Sequence, residues 1–183
     1  MNHLIHQAYE GEIYGIAFFS YFENVDDNDE QNKLWKALVE VETVTAELLL
    51  QHLLKQPQKY VFKTAELTAQ GDDDAKKWID LPWLELMQTL SQWVEPYEVK
   101  YRQWLQQCQL QDSQESRQLA PTFELIAEHE TAIYHCLQAE LTRAYAQAET
   151  QVATQVTTQV TTQVATQKSG LEYLSSFLNK YNK

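Results

Sequence analysis

Three glutamates stand where a helix is expected to bury something apolar. In 123–141, Ile126, Glu130, Ile133 and Leu137 fall at i, i+4, i+7 and i+11, so they share one helical face. Glu130 interrupts that stripe, with His129 beside it. Glu12 interrupts the stripe Ile5, Ala8, Ile16, Phe19, and Glu42 interrupts Trp35, Leu38, Thr45, Leu49, His52. An unpartnered buried carboxylate costs several kcal/mol or takes up a proton, so each needs company. Carboxylates and imidazoles on facing helices can together hold metal ions, with oxygen-rich sets suiting hard divalent cations. The full two-metal set takes one Glu from each of two helices and Glu-x-x-His from each of two others. Here the segments read Glu42-x-x-Thr45 and Glu130-x-x-Ile133, so both following histidines are missing. The metal-ligand candidates are therefore Glu12, Glu42, His129 and Glu130, with iron or manganese as the ion. The alternative is a buried hydrogen-bonded network without metal. No nucleophile elbow, phosphate-binding glycine loop or zinc CxxC is present, and no catalytic residue is assigned.

Helices must position these groups. Only 4 Gly and 4 Pro leave few turns for a many-stranded sheet, which favours long helices. The periodicity predicts helices over 3–23, 30–56 and 82–107, and a fourth from 117 or 121 to about 149. Gly11 and Gly15 flank Glu12 and leave room for a neighbouring side chain or helix. The Asn- and Asp-rich tract 24–29 ends the first helix and offers caps for the next. Pro57 closes the second. A short helix is expected within 59–70, with Gly71–Asp74 as a turn and cap. In the third long helix Trp83, Leu86, Leu90, Trp93, Tyr97, Tyr101 and Trp104 are expected inward, Pro96 is expected to kink the chain, and Glu98 is the carboxylate placed to lean inward. That aromatic stripe reads as core rather than as an electron path. His52 and His135 read as satisfied or exposed histidines, and Cys136 as a small buried hydrophobe.

The tail repeats TQVA or TQVT over 150–167. On a helix its valines would drift about 40° per step, because four residues exceed one turn. The repeat reads as a helical extension or a linker, and its deletion should leave the helical core folded. Beyond it, Leu171, Leu174, Phe177, Leu178 and Tyr181 make a short amphipathic helix that could dock on the core or on another subunit. The expected organisation is a unit over 1–149, the repeat over 150–167 and the terminal helix over 168–183.

The net charge is -12, which argues against nucleic acid and anionic membranes as partners. The longest apolar run, 13–19, falls far short of the ~20 residues that span a bilayer. Cys108 and Cys136 form no CxxC pair, and nothing before the first helix resembles a signal peptide, so a cytoplasmic protein with free thiols is expected.

Several short motifs resemble the ferritin-like superfamily, and within it a proteobacterial group of uncharacterised proteins. They are Gly11-Glu12, the stretch Leu-Val-Glu-Val-Glu-Thr-Val-Thr over 38–45, Trp83…Met87…Pro96-Tyr97…Tyr101, and His129-Glu130 with Ala-Glu-Leu over 139–141. The resemblance covers roughly 5–145 and implies an all-α, antiparallel four-helix bundle. Two functional readings follow. The first is a structural or interaction protein whose metal site is reduced or lost, a homodimer being one arrangement. The second is a non-haem iron or manganese protein with oxidase- or oxygenase-type chemistry.

Overall fold

A computed structural model describes residues 1–25, 28–156 and 168–182, with no side-chain description over 151–156. The described residues form helices and no strand: α1 Asn2–Val25, α2 Asp29–Leu54, α3 Thr64–Ala75, α4 Trp83–Leu110, α5 Gln114–Val156 and α6 Gly170–Tyr181. None is long and apolar enough to cross a membrane. The TQVA/TQVT repeat beyond Val156 lies outside the described residues.

Local chemistry sets the ends. The Asn28 carboxamide oxygen accepts from the backbone N–H of Glu30 and Gln31, at 3.0 and 3.2 Å, and starts α2. Asp29 and Glu30 then stand at the positive end of the helix dipole. α4 follows Pro82 and runs on through Pro96. α5 begins earlier than expected because the Ser113 hydroxyl accepts the Ser116 N–H at 3.0 Å, capping the first turn. Only residues 111–113 therefore separate α4 from α5. A capping box joins Ser169 and Glu172 at the start of α6.

The segment at Gly71 departs from expectation. It is not a turn but part of α3, and Gly71 is buried. A Cβ there would stand 2.6 Å from the Tyr14 carbonyl oxygen and 3.0 Å from the Ala17 Cβ. Glycine serves here to seat α3 directly on α1 rather than to bend the chain.

α1 packs antiparallel on α2, as the Asn2 contacts with His52 and Gln56 at opposite chain positions require. α4 packs on α5, α2 meets α5, and α6 lies along both α2 and α5. α6 thus docks on its own chain. Lys180 reaches Glu124 and Glu128, and Leu174 and Phe177 are buried. α5 continues through the expected boundary at 149.

No Cα of α1 comes within 8 Å of α4. Aromatic side chains fill part of that gap: the Trp93 ring lies 5.1 Å from Phe18 and 5.8 Å from Tyr14. Tyr97, expected inward with this stripe, is 39% exposed because it lies where the gap opens outward.

Candidate metal centre

Glu12 on α1, Glu42 on α2 and His129 on α5 meet in the core at 1%, 5% and 2% exposure. His129 Nε2 stands 3.0 Å from Glu12 Oε2 and 3.2 Å from Glu42 Oε2. One donor atom from each residue can be chosen so that all three lie within 4.8 Å of one another. The helix stripes bring the groups to one level, and Gly15 makes the meeting feasible. A Cβ at Gly15 would overlap the Glu42 carboxylate, standing 2.5 Å from its Cδ.

Glu130, also buried, takes a different place. Its Oε2 lies 3.8 Å from His129 Nδ1, the nitrogen facing away from the other two carboxylates. The sequence groups four ligand candidates; the structure gathers three around Nε2 and sets the fourth beside Nδ1. At that distance Glu130 and Nδ1 are neighbours and are not hydrogen-bonded.

Hydrogen bonding does not account for all the polar atoms. Nε2 is hydrogen-bonded to Glu42 and paired with Glu12 Oε2 at 3.0 Å, while His129 Nδ1 and Thr45 Oγ1 are buried without a hydrogen-bond partner. A single Nε2 proton cannot serve two carboxylates equally. Burial lifts the Glu42 carboxyl well above its ordinary range, and Glu12 adds to this while His129 opposes it. Burial pushes His129 down, but Glu12 and Glu42 outweigh it and hold the imidazole well above its ordinary value. Glu130 is pushed up to about 7, chiefly by burial.

The 3.0 and 3.2 Å separations from Nε2 to the two glutamate oxygens are those of an ion-paired network, and the three side chains would be the ones to hold one shared ion. Among the described residues, no second group of three ligating side chains lies this close together. Thr45 and Ile133 are buried at the positions where the two-metal pattern has histidines. Glu98 is buried as expected, but its oxygens are taken by Arg102 at 2.8 Å and Thr131 at 3.2 Å.

His52 joins Asn2 and Gln56, and exposed His135 lies against the Tyr173 ring in a tilted contact. Cys136 is buried beside Gly170 of α6, and its thiol is pushed well up by burial.

Sequence reasoning missed the space beside the triad. A cavity of about 410 Å³ opens between α1 and α4, floored by Glu12, Glu42, His129 and Glu130 and walled by Trp93 and Tyr101. It also missed Lys100, whose ammonium lies 4.7 Å from the ring centres of Tyr97 and Tyr101 and 5.0 Å from that of Trp104. The available signal was a lysine set within an aromatic stripe. Across the core, the Phe177 ring of α6 closes on His129 at 6.0 Å.

No protein-family model matches the chain, and neither the curated proteins nor the solved structures include a significant match.

Proposed function

We propose that the chain is a ferritin-like helical bundle of α1, α2, α4 and α5 holding one divalent iron or manganese ion on Glu12, Glu42 and His129. This is the second of the two readings that the sequence leaves open, narrowed to a single ion. One observation carries it: His129 Nε2 stands 3.0 and 3.2 Å from oxygens of two buried glutamates that come from two other helices. A proton on Nε2 answers one carboxylate, whereas a divalent cation answers both and neutralises their charge. Glu130 adds a buried carboxyl 3.8 Å from Nδ1, outside the Nε2 ligand set. A metal bound there would supply Lewis-acid or redox chemistry of the oxidase or oxygenase class to a molecule in the adjoining cavity. The protein's own contribution is to fix the ligands on three helices, exclude bulk water with the aromatic wall and Phe177, and leave one side open.

The metal-free alternative makes the same groups a proton-sharing network in a structural or interaction protein, as the elevated Glu42 and Glu130 carboxyls allow. Glu42→Gln separates the two. The amide keeps the shape and is a poor ligand for a hard cation. Metal content is measured on protein purified without chelators, and melts are run anaerobically with and without Fe(II) or Mn(II). At about 100 times Kd, metal adds ~2.7 kcal/mol, or about 5–10 °C for a chain of this size. Wild type should gain that much and Glu42→Gln little. If neither melt responds and the purified protein carries no metal, the structural reading replaces this one.

A further inference from the structure

We propose that α6 is a releasable wall: it leaves its seat on α2 and α5 as an intact helix while the other helices stay folded, and so uncovers Cys136 and the His129 side of the triad. The undocking stands on the packing of α6 alone. Only its consequence for a bound ion rests on the metal reading above.

Among the described residues α6 packs on α2 and α5 and on no other helix. Gly170, Leu174 and Phe177 are its buried residues, and the glycine brings no side chain. Two large apolar groups are thus fully seated, while Leu171, Leu178 and Tyr181 are partly covered. Its polar contacts with the core gather at the far end. Lys180 meets Glu124 and Glu128 at 3.1 and 2.6 Å, the Tyr181 hydroxyl donates to Glu128 at 2.8 Å, and Asn182 donates to Glu40 at 3.0 Å. The charged side chains of this clasp are 40–49% exposed. Ion pairs so exposed add little and weaken with salt. The near end holds itself, because Ser169 and Glu172 form a capping box within the segment. Those backbone groups stay satisfied when the helix leaves. Few buried apolar groups and an exposed clasp place a unit at the low end of local opening free energy.

Two groups lie beneath it. The Phe177 ring closes on His129 at 6.0 Å, and no α6 residue lines the cavity, so this is a separate face of the triad. A Cβ on Gly170 would stand 3.0 Å from the Cys136 sulfur, which is fully buried. Cys136 is thereby a native reporter of undocking. Cys108 is the comparison: it is equally buried, donates to the Ser116 carbonyl at 3.3 Å, and sits on α4, which α6 does not touch.

The test is N-ethylmaleimide labelling of the full chain, resolved at each cysteine by mass spectrometry and normalised to the denatured chain. Cys136 should label on the order of tenfold or more faster than Cys108, since it needs only α6 to leave. Leu174→Ala removes a seated anchor and should speed Cys136 about tenfold or more, with Phe177→Ala as a second variant of the same kind. Leu90→Ala weakens α4 instead. It should leave Cys136 unchanged while speeding Cys108, because docked and undocked forms both keep α4 in place. Equal labelling of the two thiols overturns the proposal, as does a Leu90→Ala chain in which both quicken alike, for α6 would then open only with the core. Fast Cys136 labelling that neither α6 variant changes also overturns it, since the thiol would be reached by another route. In the Mn(II)-loaded chain, transfer of the ion to a chelator should quicken in Leu174→Ala, and unchanged transfer overturns the exposure of the triad. Labelling of Cys136 that follows α6 in a chain that binds no Mn(II) supports the undocking and removes the metal reading alone.

Discussion

Gly11 and Gly15 have the same sequence signature and opposite structural meanings. Both lie in α1 beside Glu12, and each costs the helix up to ~1 kcal/mol relative to alanine. At Gly11, which is exposed, a methyl would meet only the Tyr101 hydroxyl oxygen, at 3.4 Å. At Gly15 it would overlap the Glu42 carboxylate. Gly11→Ala should therefore leave the metal response intact and raise stability by a few tenths to ~1 kcal/mol. Gly15→Ala sets the helix gain against displacement of a buried side chain, so metal-free stability should change by less than about 2 kcal/mol. Its metal-induced rise in Tm should vanish, because Glu42 can no longer reach Nε2. Paired melts check this, and an unchanged metal response in Gly15→Ala would show that Glu42 is not a ligand. The same contrast marks what a sequence reveals at this scale. That something approaches α1 near Glu12 is legible from two glycines. Which glycine admits it depends on the angle at which α2 crosses α1.

At the level of elements, the stripes on α1, α2 and α5 were legible because a 3.6-residue period is local information; it placed Glu12, Glu42 and Glu130 inward, where they are buried, and named His129 only as the neighbour of Glu130. The cavity was not legible. It arises because α1 and α4 stay apart while α3 sits on α1, a spacing no single stripe encodes. The seat of α6 was likewise open, since an amphipathic face does not name its partner. That seat now alters the expectation for the repeat. Gly170 lies against Cys136 and Glu140, and Lys180 reaches Glu124 and Glu128, so α6 runs back along α5. From Glu140 to Glu149 α5 climbs ~14 Å. With 150–167 deleted, three peptide steps from Glu149 to Gly170 span at most ~11 Å. Either α6 leaves its seat or the last turn of α5 unwinds. The deletion should still unfold cooperatively, but with Tm lowered by several degrees, whereas a Gly/Ser replacement of equal length should melt within ~1 °C of wild type. Equal melting of both variants with wild type would mean that α6 contributes nothing to stability.

Across the whole molecule, the buried acids tie stability to pH in a way that metal should reverse. Glu130 titrates near 4.5 when unfolded and about 7 when folded. Between those values the folded state holds more protons than the unfolded state, so stability falls as pH rises. The shift corresponds to a loss on the order of 3 kcal/mol, complete above pH ~7. Glu42, raised in the same sense, adds to the fall. His129 is also raised, and its stabilising contribution is full below its unfolded value near 6.5 and lost as pH climbs through its folded one. All three push the metal-free protein toward lower stability from pH 5.5 to 8. A divalent ion needs ionised carboxylates and a neutral imidazole, so its binding releases protons and strengthens over the same interval. The metal-free Tm should therefore drop from pH 5.5 to 8, and the gap between Mn(II)-loaded and metal-free Tm should widen. Glu130→Gln refines the test. It removes one titration, so the metal-free slope should become shallower, yet Glu130 lies beside Nδ1 rather than among the Nε2 ligands, so most of the Mn(II) gain should survive. Loss of that gain would make Glu130 a ligand after all. A gap that narrows with rising pH would mean that Mn(II) does not compete with protons for these groups, and would place the ion elsewhere on the protein.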